Sequence, residues 1–260
     1  MRSYAASRDF ADLTLASAGA AGRYTEGPRP TSTSLFQNPL ISFAYERGWR
    51  QSFAWAGFPG ADAEFAQAQE WLLPAARRGV LLDVSCGSGL FTRRFADSGE
   101  YGHVVGADYS EAMLREAKAL MAQRGALPGV SPVTLVRADV GRLPLETASV
   151  DGVHAGAALH CWPSPSSALA EISRVLKPGG VFVASTFLDP TAPLGELLGD
   201  DNVLPLARAL GAQRTPAASY RWWAEPELRD LCVMVGLVGF ERTRMRQFIL
   251  LRVAKPSAAA

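Results

Sequence analysis

From residue 80 to residue 187 the chain alternates between two hydrophobic patterns. Short, nearly continuous apolar runs at Val80–Val84 (VLLDV), 103–107 (HVVGA), 133–137, 150–154 and 181–187 predict strands buried on both faces. Helical stretches lie between them. One covers 89–96. A second covers 110–124, with Ser110 as its cap and Met113, Leu114 and Leu120 among its apolar positions. A third opens with Pro165 behind Ser164 and closes at Lys177-Pro178-Gly179-Gly180. Strand and helix alternating at this spacing specify a parallel sheet covered on both faces, and right-handed crossovers leave few topologies. After residue 188 the rhythm breaks. Residues 189–219 are rich in Pro, Gly and Leu and read as an inserted lid. A helix over 226–235 and strands at 238–244 and 247–253 follow. The last two strands are too close for a crossover helix, so they should pair antiparallel.

Ahead of the alternating region the pattern is weaker. Residues 1–37, with small residues and Gly27-Pro28-Arg29-Pro30, read as an extended lead-in. Residues 38–78 read as a helical cap. A helix begins near Pro39, since proline suits a first turn. Another covers 61–73, with Phe65, Ala68 and Leu72 on one side and Pro74 expected to end or kink it.

Composition narrows the classes. The chain has 260 residues, 48% apolar and 20% charged, as in ordinary globular domains. Net charge is +1, from 26 basic and 25 acidic residues, so nothing pulls the whole surface toward nucleic acid. No apolar run reaches the roughly 18 residues of a membrane span. Cys86, Cys161 and Cys232 have neither C-x-x-C nor Cys/His ligand spacing, which argues for a reducing compartment and against a metal site. The Ala-, Ser- and Arg-rich N-terminus has a faint transit-peptide character, countered by Asp9 and Asp12.

The chemistry concentrates at strand ends. Asp83-Val84-Ser85-Cys86-Gly87-Ser88-Gly89 follows the first strong strand, where parallel sheets bind ligands. Gly87 and Gly89 let backbone approach a ligand closely, and Asp83 is a candidate acceptor for a cationic amine. Asp108, after the second strand, can take both hydroxyls of a ribose through charged hydrogen bonds. Asp139, after the third, can accept from an adenine amino group, with Val140 beside it. Each residue has a plainer reading: a tight turn for the glycines, a helix-terminal acid for Asp108, a turn aspartate for Asp139. Three such sites at three successive strand ends are the stronger signal. A nicotinamide fingerprint would require G-x-G-x-x-G, whereas Gly87-Ser88-Gly89-Leu90-Phe91-Thr92 ends in threonine.

The motifs DVSCGSG, Asp108-Tyr109-Ser110, RADVGRLP and LKPGGVF resemble the successive motifs of class I S-adenosylmethionine (SAM)-dependent methyltransferases of the methyltransferase-11 type. The ubiquinone/menaquinone methyltransferases are familiar relatives. Residues 153–187 and 38–58 (containing ERGWRQSFAWAGF) are very similar to plant and algal chloroplast methyltransferase-like proteins. The resemblance covers roughly residues 23–255. It implies a doubly wound, mostly parallel, seven-stranded Rossmann-like sheet with an antiparallel last strand, in a methyltransferase domain over 79–255. It implies SAM as cofactor and a chloroplast location, with which peripheral association with a membrane or plastoglobule is compatible. It implies that Asp83, Ser85, Gly87 and Gly89 surround the methionine moiety, that Asp108 holds the ribose with Tyr109 and Met113 near the adenine, and that Asp139 and Val140 lie at the adenine edge. Gly156, within 155–157, would line the methyl-transfer side. Ser85 departs from the family pattern, which usually has glycine there. Relatives in the chloroplast group tend to carry a Cys-rich, zinc-ribbon-like stretch and a transit peptide upstream, which this sequence does not show.

Methyl transfer from a sulfonium is an in-line displacement, for which alignment and a dry pocket matter most. His160, in Leu159-His160-Cys161-Trp162, is the candidate base, against a reading as a structural loop histidine. His154 reads as structural and Cys161 as a small hydrophobe. Trp162, Tyr45, Trp49, Trp222 and Trp223 are candidates for an aromatic wall around a flat acceptor, or for plain core. Arg47 and Arg50 are candidates for an acidic acceptor, or for solvated surface. The acceptor is expected to be a small molecule, of lipophilic or quinone-like character by family resemblance. The competing reading is a non-catalytic SAM-binding or scaffold protein.

Overall fold

The computed structural model describes residues 9–14, 50–125, 128–199, 203 and 221–257. The helix expected from Pro39, the residues Tyr45, Arg47 and Trp49, and most of the expected lid lie outside them. A 3-10 helix, Arg50–Ala56, leads into α1, Ala61–Ala76. There follow β2, Val80–Val84; α2, Leu90–Asp97; β3, His103–Asp108; α3, Glu111–Arg124; β4, Val133–Arg137; and β5, Val150–Ala155. The second half contributes α4, Pro165–Val175; β6, Leu176–Phe187; α5, Ala192–Leu198; α6, Glu225–Met234; β7, Val238–Met245; and β8, Phe248–Ala254. A two-residue strand near the start, β1, Ala11–Asp12, completes the set.

The sheet has eight strands in the order β1-β4-β3-β2-β5-β6-β8-β7. Only β8 runs against its neighbours, pairing antiparallel with both β6 and β7. The eighth strand is the difference from expectation. Part of the lead-in joins the sheet as a parallel edge strand on β4, with Ala11 opposite Val136 and Asp12 opposite Arg137.

Both faces are covered. Ala68, Leu72 and Ala76 of α1 and Phe91, Phe95 and Ala96 of α2 pack on Leu81, Val104, Val181 and Val183. On the opposite face Ala168, Leu169 and Ile172 of α4 and Leu228 and Cys232 of α6 pack on Leu82, Val84, Val153 and Phe182. The split follows from the period-2 alternation along β2: Leu81 and Asp83 face the first layer, Leu82 and Val84 the second.

Several boundaries differ from the sequence reading for local reasons. Pro74 lies inside α1, which runs two residues beyond it. Proline has no N–H for the carbonyl four residues back, so α1 loses that one bond and ends within a turn, where Arg77 N donates to the Leu73 carbonyl. Lys177-Pro178-Gly179-Gly180 belongs to β6 rather than to a helix end. A register shift between Val150 and Gly152 accommodates it, and Gly179 at φ 80 donates to the Lys255 carbonyl at 2.9 Å. Ser110 caps α3 as expected, its Oγ accepting from Met113 N at 3.3 Å. Ser164 stands at the start of α4, but its hydroxyl meets Ser167 Oγ instead of a backbone N–H.

Candidate functional site

The chain runs from β2 out to β4, then returns to place β5 on the other side of β2. Ligands bind at such reversals, beyond the carboxyl ends of the strands. A cleft with about 860 Å³ of empty space, its open mouth included, lies there. Ser85 and Gly87 line it from the loop after β2, and Asp108, Tyr109 and Met113 from the end of β3 and the start of α3. Asp139 and Val140 follow from the loop after β4, and Gly156 from the loop after β5. Eight of the ten residues singled out for a cofactor therefore share one cleft.

Gly87, at φ 57, donates its N–H to Asp108 Oδ2 at 2.8 Å. Ser110 N donates to Asp108 Oδ1 at 2.7 Å. One carboxylate thus ties the glycine loop to the start of α3 while facing the cleft. Burial raises its pKa, against the lowering effect of those backbone donors. Asp139 accepts from Gly141 N at 2.9 Å through Oδ1, closing a small turn that brings Leu143 to the cleft.

Asp83 and Gly89 do not line the cleft. Asp83 is buried, and its carboxylate is engaged on the α1–α2 side of the sheet. Oδ1 meets His154 Nδ1 at 2.8 Å and Oδ2 accepts from Thr92 Oγ1 at 2.5 Å. His154 stands opposite Asp83 in the β2–β5 register and packs between Phe91 and Phe95. The reading of Asp83 as an amine acceptor is corrected accordingly: this carboxylate braces strand and helix beneath the loop. Gly89 is the left-handed residue ahead of α2, φ 77. A Cβ there would lie 3.1 Å from Ala117 Cβ, so glycine eases both the left-handed backbone and the close approach of α3.

Ser85 has φ 53, a conformation in which an L-side chain is strained. This explains why glycine suits the position. The serine adds a bond of its own: its Oγ accepts from Trp162 Nε1 at 3.0 Å, joining opposite walls of the cleft. Trp162 is nearly buried and lines the cleft with Ala157, Ala158, Cys161 and Pro163. Ala157, at φ 51, donates its N–H to Ser185 Oγ at 2.7 Å, and that hydroxyl donates to buried Glu64 Oε1 at 2.5 Å. Apolar wall residues such as Leu143, Ala158 and Pro163 carry no chemical signal of their own and were not singled out from sequence.

The expected aromatic wall divides. Trp162 is on the cleft, Trp223 is fully buried in the core, and Trp222 packs on Phe187 with ring centroids 5.8 Å apart. His160 does not line the cleft. Its ring sits against Phe187, with Nδ1 3.4 Å from Thr186 Oγ1, and burial lowers its pKa to about 3. Burial raises Cys161 to about 12, so it carries no thiolate.

This sheet order and loop geometry define a methyltransferase-type Rossmann-like protein. Solved structures agree in fold. The [4+2]-cyclase SpnF superposes with a TM-score of 0.62 at 17% identity, over 89% of this chain and 98% of that one. Phosphoethanolamine N-methyltransferase 2 of Haemonchus contortus, solved with phosphomonomethylethanolamine and S-adenosylhomocysteine, superposes at 0.62 with 16% identity, over 85% and 60%. Residues 82–184 match the methyltransferase-11 family, described as a methyltransferase domain. An uncharacterized chloroplastic methyltransferase of Arabidopsis thaliana is 48% identical over 98% of this chain and 69% of its own length. A second Arabidopsis chloroplastic methyltransferase is 44% identical over 98% and 68%. The demethylmenaquinone methyltransferase of Desulfitobacterium hafniense is 30% identical over 77% and 76%. The chain belongs to the class I SAM-dependent methyltransferases of the methyltransferase-11 type.

Proposed function

We propose that this protein binds SAM in the cleft beyond β2–β5 and transfers its methyl group to a small, lipophilic, quinone-like acceptor in a plastid. The observation that carries the reading is the convergence of three strand-end loops, with Ser85 and Gly87, Asp108 and Tyr109, and Asp139 and Val140, on one cleft. The donor and acceptor set suits an adenosyl ligand. Asp108 is a carboxylate held by two backbone N–H groups and facing the cleft, which suits ribose hydroxyls. Asp139 and Val140 suit the adenine edge, and Tyr109 and Met113 its faces. Gly156 lines the cleft, and its missing Cβ leaves room for His154 and Phe91 packed behind it, each 3.0 Å from where that atom would lie.

When bound, SAM supplies a methyl group made electrophilic by the sulfonium. The protein's part is to hold that group beside the wall formed by Ala157, Ala158, Cys161, Trp162 and Pro163, and to keep water out. This wall is mostly apolar, which supports a lipophilic acceptor, as do relatives named for menaquinone and ubiquinone biosynthesis. The two chloroplastic Arabidopsis relatives support a plastid location. Among the described residues no helix is long and apolar enough to cross a membrane.

A second reading, SAM binding without transfer, is favoured by one observation: burial holds the candidate base His160 neutral and away from the cleft. Calorimetric titration with SAM, followed by S-adenosylhomocysteine release with reduced quinones, tests both. No binding at millimolar SAM removes the cofactor reading. Binding without release across quinone and phenol acceptors favours the second.

A further inference from the structure

We propose that Arg137 is a positioning residue for the adenosine end of the cleft, and that the N-terminal strand β1 anchors it there. The proposal rests on the SAM-binding reading above and adds a segment that the matched family domain, 82–184, does not include. Arg137 ends β4, next to the cleft residues Ala138 and Asp139. Its Nε donates to the Tyr109 carbonyl at 3.0 Å, and its guanidinium lies over the Tyr109 ring, 5.2 Å from the centroid. Tyr109 lines the cleft beside Asp108. One planar cation therefore fixes both the backbone and the ring of that residue, which a lysine cannot do.

The cation is in turn held from two sides. Glu111 Oε1 of α3 accepts from Nη1 at 2.8 Å, and Asp12 Oδ2 of β1 at 3.0 Å. Asp12 is kept in register by the β1–β4 pairing and by the bond from Leu13 N to the Arg137 carbonyl at 2.9 Å. Phe10 pins the segment, buried against Leu114, Ala117 and Leu135. Although burial opposes it, hydrogen bonds from Thr14 and Arg137 keep the Asp12 carboxyl below its ordinary range, so the anchor is ionised throughout the neutral region. The order Asp12, Arg137, Tyr109 thus runs from the sheet edge to the cleft.

The test is a binding cycle on the full chain with two probes, S-adenosylhomocysteine and methylthioadenosine, the second carrying only the nucleoside end. Arg137→Lys keeps the charge for Asp12 and Glu111 but loses the planar double contact, and should weaken both probes about five- to tenfold. Asp12→Asn should weaken both about threefold, and Asp12→Glu should recover most of that loss. Tyr109→Ala should weaken both probes, and Arg137→Lys combined with it should add little, because the two act as one unit. A residue that merely stabilises the fold would instead lower the melting temperature and add its effect to that of Tyr109→Ala. Wild-type affinity in both Arg137→Lys and Asp12→Asn, or full additivity with Tyr109→Ala, overturns the proposal. Failure of the wild-type chain to bind either probe removes the SAM reading and this inference together, whereas wild-type binding with unchanged variants removes only this one.

Discussion

Ser85 offers a controlled comparison of strain against a specific bond. The residue holds φ 53, where an L-side chain costs about 1–2 kcal/mol relative to glycine. Against that, Ser85 Oγ accepts from Trp162 Nε1, on a side chain only 5% exposed. Ser85→Ala keeps the strain and removes the acceptor. Leaving the buried indole N–H without its partner should cost about 1–3 kcal/mol. Ser85→Gly also loses the acceptor but relieves the strain. Part of that gain is offset by the greater freedom of glycine in the unfolded chain, about 0.5–1 kcal/mol. The expected order is therefore wild type, then Ser85→Gly, then Ser85→Ala, with the two variants separated by roughly 0.5–1 kcal/mol. Equilibrium urea unfolding, compared at equal m, reads the difference directly. If Ser85→Ala proves as stable as Ser85→Gly, the left-handed geometry of the loop is wrong, and with it the account of why glycine suits this position.

Four further outcomes follow from named contacts. Asp108→Ala should weaken S-adenosylhomocysteine binding by about 1.5–3 kcal/mol in calorimetry, because charged hydrogen bonds are lost; and since burial raises the pKa of Asp108, wild-type affinity should fall on acidification at a higher pH than an ordinary aspartate would give. His160, held at about 3 by burial, makes the folded state resist protonation. Its contribution is fully present above the unfolded value near pH 6.5 and is lost as pH falls toward about 3, about 2 kcal/mol of it between roughly pH 7 and pH 5; urea midpoints of His160→Gln should lack that share of the acid slope. Ser185→Ala should cost about 2–4 kcal/mol by denaturation, since the buried Ala157 N–H loses its acceptor and Glu64 loses a donor. The fourth concerns the acceptor, and its case depends on the titratable groups of the cleft.

What could be read from the sequence and what could not divides along the range of the interactions. β2 to β5 were legible because each is a short apolar run bounded by turn residues, and a buried parallel strand allows little else. That Asp108, Asp139 and Gly87 meet at one cleft was legible because the loops beyond successive parallel strands open on the same end of the sheet. Asp83 was misread from the same logic. Its fate is decided by His154, opposite it in a strand 71 positions later, and by Thr92 on α2. Period-2 alternation with Leu81 was the available clue, since it puts Asp83 under the helical layer rather than at the strand tip. β1 was illegible as a strand because two residues carry no periodicity; its register comes from Phe10, Asp12 and the edge of β4. The left-handed turn at Ser85 was visible only as a departure from a glycine pattern.

On the function proposed above, the acceptor half of the cleft is built on a different principle from the cofactor half. Where the cofactor half presents carboxylates, the wall from Gly156 to Pro163 presents Ala157, Ala158, Cys161 and Trp162. The titratable groups nearest that wall are silenced by burial: His160 is neutral above about 3, and the Cys161 thiol is protonated up to about 12. Asp108, which also faces the cleft, is engaged by Gly87 and Ser110. Among the described residues the wall supplies alignment and dryness, and on the reading proposed above the acceptor loses its own proton. A reduced quinone or phenol does this by ionising. The single-turnover rate at fixed pH should therefore rise across a series of substituted phenols as acceptor pKa falls toward the assay pH, until every acceptor is ionised. For a given acceptor, its pH profile should follow the acceptor's pKa, with His160→Gln leaving the midpoint in place. A midpoint independent of acceptor, displaced by His160→Gln, would show that an enzyme base controls the step and that the wall has been misjudged.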